Sequence, residues 1–331
     1  MSVDLDDHTT GDMPATPVAV HSPAWHAERR QGLGASEIGV LLGLSTFQSP
    51  WSLWAEKVGL ITHDPAAETE RQMIGREMEP VLAGLFQART GLYVTGEQAM
   101  CRKQGTPWRC TVDGFVTGDP SEGSERLGVV EFKTDGRFGW PDGIPPSYRA
   151  QIIWQMAVTG LRHAWVAVMF AGFRFEVFDL GWDAEVEADW AFMAAKAEWF
   201  WGLVQTGIAP DVDGSTATTQ AIADVWPHET TGDTIEATPD LLELFERRSA
   251  IKARVAADQK VVREADNIIA ATIGDNDTVT VDGVPVWSYR AQTRVTFDAK
   301  TLGSAHPELD LDLYTTSTTF RVLRHVKEKT K

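Results

Sequence analysis

The residues with the clearest chemical potential are a carboxylate and an amine two positions apart, Glu131 and Lys133. Residues 128–134 alternate β-branched and aromatic side chains, which predicts a strand, and residues two apart in a strand point to the same side. Glu131 and Lys133 then share one face, while Val130 and Phe132 point the other way into a core. The pattern therefore predicts two opposite charges held together on a rigid element with an apolar backing.

A second predicted strand, at residues 109–116, carries Asp113 just before Gly114, where the strand would end. Two carboxylates and Lys133 could then converge. Carboxylate oxygens suit hard cations such as Mg²⁺ or Mn²⁺, and an adjacent lysine can orient or deprotonate a water that attacks a phosphodiester. An isolated Glu-x-Lys pattern is more often a surface ion pair, so the interpretation as a metal site depends on other residues.

Glu79 lies on a predicted helix that runs from about residue 70 to residue 90 and is closed by Gly91. The apolar face of this helix consists of Met78, Leu82, Leu85 and Phe86. Glu79 sits at the edge of that face, whereas Glu77 projects about 160° away and is predicted to be solvated. A carboxylate at such an edge needs a partner. The sequence leaves open whether Glu79 is a metal ligand or a partly exposed glutamate.

Two further helix starts could contribute to a binding site. Ser36 is predicted to cap a short helix, and a helix N-terminus with Arg29 upstream suits a phosphate, although capping alone is the simpler role. A second helix is predicted from Ser147 to Thr159, after a proline-rich rim at residues 140–147. Its polar side carries Tyr148, Gln151 and Gln155.

Composition excludes several classes of protein. The 331 residues are 43% hydrophobic, enough for a core, and contain no apolar run of about 18 residues. The acidic, polar N-terminus is not an ordinary signal peptide, so a cytoplasmic location is expected. Cys101 and Cys110 are too few for a disulfide framework, and the eight histidines have no zinc-ligand spacing. The net charge of −17 argues against DNA binding over the whole surface, but not against positive charge confined to a cleft.

The predicted elements form a mixed sheet flanked by helices. Residues 163–170 and 173–180 form a hairpin, followed by a helix from residue 183 to about 205. Residues 1–20 are a predicted disordered tail, and residues 211–237 a linker. Beyond the linker, Val255, Val262 and Ile269 recur every seven residues, which predicts a long exposed helix or a coiled-coil arm. Residues 278–326 are predicted to form a small β-containing appendage, with β-rich patches at 278–281 and 318–322.

Several motifs occur in order across residues 25–160. They are Trp25-x-x-x-Arg29 followed by Ala35-Ser36-Glu37, Gly75-x-x-x-Glu79, Asp113-Gly114, Glu131-Phe132-Lys133 and Tyr148-x-x-Gln151. Together they resemble the YqaJ-type viral recombinases, relatives of phage lambda exonuclease among the PD-(D/E)xK nucleases. The resemblance implies an α/β (α+β) fold with a restriction-endonuclease-like core at residues 21–210, and a helical arm and β appendage at 238–331.

The resemblance also implies roles for individual residues. Glu79, Asp113, Glu131 and the main-chain carbonyl of Phe132 would hold one or two Mg²⁺ ions, or Mn²⁺. Lys133 would activate or position the water, and Gln151 would support the water or the scissile phosphate. The DNA and its 5′-phosphate would contact Arg29, Ser36, Thr111 and Tyr148. Two departures are Val112 in place of the motif's usual proline and a long acidic loop between Asp113 and Glu131.

The implied activity is that of a 5′-to-3′ double-strand exonuclease that leaves 3′ single strands for recombination. Its implied partners are double-stranded DNA ends, a single-strand annealing protein and further copies of the chain in a ring, with a trimer favoured. If the chain is encoded by a phage, the location is the bacterial host cytoplasm. A structure-specific endonuclease, a nuclease domain of the helicase-nuclease type and a catalytically silent module that binds DNA ends remain as alternatives. The sequence contains no P-loop for a helicase on the same chain.

Overall fold

A computed structural model of the chain describes residues 22–62, 69–96, 98–119, 121, 125–317 and 319–324. The chain divides into two compact units, Met1–Pro227 and His228–Lys331. The predicted tail at residues 1–20 lies outside the described residues, as does part of the acidic loop that precedes Glu131.

The first unit contains helices and strands in alternating groups. Its helices are α1 (Pro23–Arg30), α2 (Ala35–Leu41), α3 (Pro50–Lys57), α4 (Glu70–Thr90), α5 (Pro146–Thr159), α6 (Ala184–Thr206) and α7 (Thr216–Val225). Its strands are β1 (Tyr93–Thr95), β2 (Ala99–Arg102), β3 (Arg109–Val112), β4 (Gly114–Thr117), β5 (Arg126–Asp135), β6 (His163–Phe170) and β7 (Arg174–Gly181). A short 3₁₀ turn at Ala171–Phe173 joins the last two strands.

Five strands form a central sheet in the order β1-β4-β5-β6-β7, and β2 and β3 form a separate ribbon. The pair β5 and β6 is parallel, and the other neighbours in the sheet are antiparallel. Helix α4 covers one face, where Leu82 and Phe86 pack with Val130 and Phe132. Helices α2, α3, α5 and α6 contribute to the core on the other side. The predicted mixed sheet flanked by helices is confirmed.

The prediction of one strand over residues 109–116 is wrong. Asp113 interrupts it, because β3 pairs with β2 in the ribbon whereas β4 pairs with β1 and β5 in the central sheet. The chain thus crosses between two sheets at Asp113. Gly114 is needed at this crossing, since a side chain there would overlap Val94. An unbroken alternation of side chains cannot reveal such a change of partner.

The ribbon is also tied to the N-terminal helices by backbone hydrogen bonds. The Leu33 amide donates to the Pro107 carbonyl at 3.0 Å, and the Arg109 amide donates to the Leu33 carbonyl at 2.9 Å. Arg109 Nε further contacts the Glu28 carboxylate at 2.8 Å. These contacts join the segment between α1 and α2 directly to β3.

Helix boundaries differ from the predictions in two places. Ser36 is not the N-cap of α2, because Gly34 occupies that position and its amide donates to the Glu37 carboxylate at 2.8 Å. Helix α5 begins at Pro146, one residue before the predicted start. The predicted bounds of α4 are confirmed, and Gly91 ends it in the left-handed conformation at φ 74°.

The predicted linker at residues 211–237 contains helix α7, which packs within the first unit. The Thr218 hydroxyl donates to the Ser49 hydroxyl at 2.6 Å, and Ala221 is buried in the core. Small and hydroxylated residues let this helix lie close to α3. The shift in composition at residue 211 therefore precedes the end of the first unit, which falls at Pro227.

The second unit begins with the predicted long helix, α8 (Pro239–Ile273), capped by Thr238. A hairpin of β8 (Thr278–Val281) and β9 (Val284–Ser288) follows, and then α9 (Ala299–Ala305) and a 3₁₀ turn (Leu311–Tyr314). The β-rich patch predicted at residues 318–322 is wrong where the structure describes it, since residues 319–324 form no strand. Among the described helices, none combines the length and apolar character that crossing a membrane requires.

Gly128 provides a test of the parallel pairing between β5 and β6. A side chain there would overlap the His163 carbonyl and the Trp165 ring, and backbone cannot move aside cheaply. We expect Gly128→Ala to lower the unfolding free energy by about 1–3 kcal/mol, measured by denaturant titration. The control is Gly84→Ala on the exposed side of α4, which meets nothing within 4 Å and should gain about 0.5–1 kcal/mol. Equal midpoints for Gly128→Ala and wild type would contradict the described packing.

Candidate functional site

One cleft of about 1160 Å³ in the first unit brings together all of the predicted site residues. These are Arg29, Ser36, Glu79, Thr111, Asp113, Glu131, Phe132, Lys133, Tyr148 and Gln151. They come from five segments of the chain: α1, α2, α4, the region from β3 to β5, and α5. The sheet and its covering helices converge at this cleft.

Strand β5 presents Glu131 and Lys133 to the cleft as predicted. The Lys133 ammonium forms an ion pair with the Glu131 carboxylate and lies 5.1 Å from the centre of the Tyr148 ring. Burial disfavours the charge on Lys133, but Glu131 and Asp113 outweigh it and hold the pKa of Lys133 above its usual value. Lys133 therefore carries its proton at neutral pH.

Two glutamines of α5 fix the Glu131 carboxylate. Gln151 Nε2 donates to Oε1 at 2.6 Å, and Gln155 Nε2 donates to Oε2 at 2.6 Å and to the Thr111 carbonyl at 3.0 Å. Gln155 is fully buried. Its place one helical turn after Gln151 is visible in the sequence, but its contact with Glu131 depends on how α5 packs on the sheet.

Gln155→Leu removes two buried hydrogen bonds and replaces the amide with an apolar side chain of similar size. We expect a fall of about 10–100-fold in metal affinity or activity, because a polar neighbour that orients a ligand affects function to that extent. Isothermal titration with Mg²⁺ measures the affinity. Gln205→Leu at the exposed C-terminal end of α6 is the matched control and should leave the affinity unchanged. Wild-type affinity in Gln155→Leu would show that Gln155 does not orient Glu131.

Asp113 occupies the crossing between β3 and β4. Its Oδ2 accepts a hydrogen bond from the Phe132 amide at 2.7 Å, so the backbone of β5 fixes its position. Burial, followed by the charge of Glu131, raises the pKa of Asp113 well above its usual value. An ionised Asp113 therefore needs a cation beside it.

Glu79 of α4 faces the same cleft and contacts the Gln98 side chain. Gln98 has a left-handed backbone conformation at φ 55°, and its amide donates to the Asp113 carbonyl at 3.3 Å. It thereby connects Glu79 to the crossing, which sequence reasoning missed. Burial and the charge of Glu131 raise the pKa of Glu79. Glu77 is exposed beside Arg76, as predicted.

The donor chemistry of the cleft fits a divalent cation. Glu79, Asp113 and Glu131 line one space together with Phe132, and Asp113 and Glu79 both have raised pKa values that a cation would relieve. Across the described ranges, however, no three His, Cys, Asp or Glu side chains are grouped closely enough to hold a metal as placed. The two carboxylate oxygens of Glu131 instead accept hydrogen bonds from the Lys133 ammonium and from the side-chain amides of Gln151 and Gln155. The ligand roles stay predictions.

Positive charge lines the cleft of this acidic chain. Arg29, Arg71, Arg76, Arg109 and Lys133 all contribute to its wall. Arg29 lies 4.6 Å above the Trp25 ring, and its NH2 group donates to the Ser36 hydroxyl at 3.3 Å. A phosphate in the cleft would therefore meet cations in spite of the net charge of −17.

Residues 24–162 match the family model of the YqaJ-like viral recombinase domain. The chain carries a YqaJ-like viral recombinase domain. Every predicted site residue lies within the matched range, so the resemblance seen in the ordered motifs is confirmed. Strands β1, β4 and β5 of the central mixed sheet lie within the matched range.

Relatives of the YqaJ-like chain are distant. It is 27% identical over 260 residues to the uncharacterized protein YqaJ of Bacillus subtilis (strain 168), which covers 76% of this chain and 78% of that protein. The alkaline exonuclease LHK-Exo from Laribacter hongkongensis is 18% identical, with a TM-score of 0.45 over 56% of this chain and 94% of its own. A phage related exonuclease from Haemophilus somnus 129PT is 12% identical, with a TM-score of 0.38, and the match covers 54% of this chain and 96% of that protein. At these TM-scores the likeness of the structures is partial, and the similarity to the family rests on the sequence match at residues 24–162.

Proposed function

We propose that this chain is a Mg²⁺-dependent deoxyribonuclease that degrades one strand of double-stranded DNA from its 5′ end and leaves a 3′ single strand. The observation that carries the proposal is the meeting of ten residues from five segments in one cleft, with carboxylates and Lys133 in the same cleft as Arg29 and Ser36. Carboxylates beside a lysine suit metal-assisted phosphodiester hydrolysis, and a cation beside a hydroxyl suits a terminal phosphate. The names of the similar exonucleases agree with this activity.

Individual residues of the cleft would have separate roles in metal binding and hydrolysis. Glu79, Asp113, Glu131 and the Phe132 carbonyl would hold the divalent cation, which when bound supplies Lewis-acid stabilisation of the charge on the scissile phosphate. Lys133 would hold its proton on Nζ and orient the attacking water. Gln151 would support the water or the scissile phosphate from α5.

The strand end would be held by other residues of the same cleft. Arg29, Ser36 and Thr111 would bind the 5′-phosphate, and Tyr148 would contact the DNA beside Lys133. The resemblance to the YqaJ-type viral recombinases also implies an enzyme that encloses its DNA. We therefore propose a homo-oligomeric ring, with a trimer favoured, and a single-strand annealing protein as the consumer of the 3′ strand.

Two DNA substrates distinguish this function from the alternatives. The purified protein is incubated with Mg²⁺ or with EDTA, and with linear duplex DNA bearing 5′-phosphates or with closed circular DNA. Loss of linear DNA alone, abolished by EDTA, is the expected result. Nicking of circles indicates a structure-specific endonuclease, and cleavage of neither substrate indicates a silent module that binds DNA ends. Labelling the 5′ or the 3′ end reports the polarity.

A further inference from the structure

A buried cluster of charges lies directly behind Arg29. Its other members are Glu37 of α2 and Lys57 at the end of α3, whose side chains are only 9% and 3% exposed. Arg29 lines the cleft, and Glu37 and Lys57 lie outside its described lining. Burying an ion pair costs several kcal/mol of desolvation, so these two charges stabilise the fold poorly compared with apolar residues of similar volume.

The three charged groups make a connected set of contacts. Lys57 Nζ donates to the Glu37 carboxylate at 2.8 Å and to the Arg29 main-chain carbonyl at 2.9 Å. The Arg29 NH2 group donates to Glu37 Oε1 at 3.4 Å. Glu37 also accepts from the Gly34 amide, so its carboxylate is fixed to the backbone as well.

The charges of this cluster do not cancel. Glu37 alone would neutralise Arg29. Burial lowers the pKa of Lys57, but the adjacent Glu37 carboxylate opposes this effect, so a protonated Lys57 neutralises Glu37 and the cluster keeps one positive charge. Burial would raise the pKa of Glu37, yet Lys57 and Arg29 outweigh it and hold that pKa below its usual value, so Glu37 is ionised at neutral pH.

The remaining positive charge is presented to the cleft by Arg29. Its side chain is 34% exposed, and its NH2 group is occupied by Ser36 and Glu37. Throughout the described residues, Nε and NH1 of Arg29 donate to no protein group. Glu37 thus holds one end of the guanidinium, which lies over the Trp25 ring. The N–H groups of Nε and NH1 can then donate to an anion.

We propose that Lys57 is a positioning residue for a terminal phosphate monoester. It neutralises Glu37, so that Glu37 orients Arg29 without cancelling the charge that Arg29 offers to the ligand. The inference rests on the proposed function, in which Arg29 receives the 5′-phosphate, and adds two buried residues to that site. Lys57 acts through the charge balance of the cluster and does not touch the DNA.

The test is a binding measurement without cleavage. Hairpin duplexes whose single open end carries a 5′-phosphate or a 5′-hydroxyl are titrated by fluorescence anisotropy in EDTA, and the ratio of the two Kd values is the readout. Wild type should prefer the phosphate. Lys57→Met leaves Glu37 to neutralise Arg29, so we expect the preference to fall about 10-fold, with binding of the hydroxyl end unchanged.

The double variant Glu37→Gln/Lys57→Met separates charge from structure. It restores one positive charge to the cluster and removes the buried unpaired carboxylate, and we expect it to regain most of the phosphate preference. Lys196→Met on the exposed face of α6 is the control for loss of a lysine and should behave as wild type. Thermal unfolding of each variant verifies that it is folded.

Three results would overturn the inference: no phosphate preference in wild type, an equal loss of affinity for both ends in Lys57→Met, or no recovery in the double variant. A protein that prefers 5′-phosphate ends but cleaves neither linear nor circular DNA would contradict the proposed nuclease activity and leave the inference standing. A protein that degrades linear DNA without distinguishing the two ends would do the reverse.

Discussion

Lys133→Ala should lower the rate of DNA cleavage about 10²–10³-fold while leaving DNA binding in EDTA close to wild type. The substitution removes the only amine paired with Glu131 among the described residues, and loss of one preorganised donor from a reacting centre has effects of this size. Single-turnover degradation of 5′-phosphorylated linear duplex measures the chemical step separately from binding.

The control for Lys133→Ala is Lys196→Ala, which removes an exposed lysine of α6 and should leave the rate unchanged. Gln151 and Gln155 still fix Glu131 in the variant, so its fold should persist, and circular dichroism verifies this. Full activity in Lys133→Ala would refute the role assigned to the lysine.

Asp113→Asn should abolish cleavage and at the same time stabilise the protein in the absence of divalent cations. The substituted side chain can still accept a hydrogen bond from the Phe132 amide, but it no longer carries a charge that burial and Glu131 disfavour. It also cannot serve as an anionic ligand for Mg²⁺, so the rise in Tm that Mg²⁺ gives to wild type should shrink or vanish. Loss of function with a gain in stability is typical of residues kept for chemistry.

The stabilisation by Asp113→Asn should depend on pH. The pKa of Asp113 is raised from 3.8 in the folded state, so wild type loses stability from this group as pH rises from about 4 through the raised pKa. The difference in Tm between Asp113→Asn and wild type, measured in EDTA, should therefore be larger at pH 8 than at pH 4. Asp142→Asn, a change at an exposed carboxylate, is the control and should show no such trend. A difference that shrinks with rising pH would contradict the described environment of Asp113.

Local patterns predicted the elements that their own residues determine. The predicted bounds of α4, from about residue 70 to residue 90, are correct because the apolar stripe of this helix ends at Gly91, which adopts the left-handed conformation. Strand β5 and the sharing of a face by Glu131 and Lys133 followed from alternation alone. Helix α8 was likewise predicted from a local pattern, the seven-residue spacing of Val255, Val262 and Ile269.

Contacts between distant segments were beyond such patterns. The crossing at Asp113 depends on which strand pairs with which, and Gln98 reaches Glu79 only because a left-handed residue turns the chain there. Lys57 is separated from Glu37 by 20 residues and meets it only when α2 packs against α3. The ordered motifs, by contrast, contain nine of the ten predicted site residues that line the cleft, all except Thr111, because each motif marks a position in the chain and the fold brings these positions together.

The hydrogen bonds between Leu33 and the ribbon would fix a distance that matters for an enzyme that degrades DNA from a strand end. They tie the segment that leads to Ser36 to β3, and β3 runs straight into Asp113. The residues proposed to bind the terminal phosphate and those proposed to hold the metal therefore lie on two main-chain segments that are joined directly by hydrogen bonds. The proposed enzyme would then have a fixed distance from the bound end to the cut, since these hydrogen bonds hold in place the segments that carry the binding side chains. It would release fragments of one uniform length.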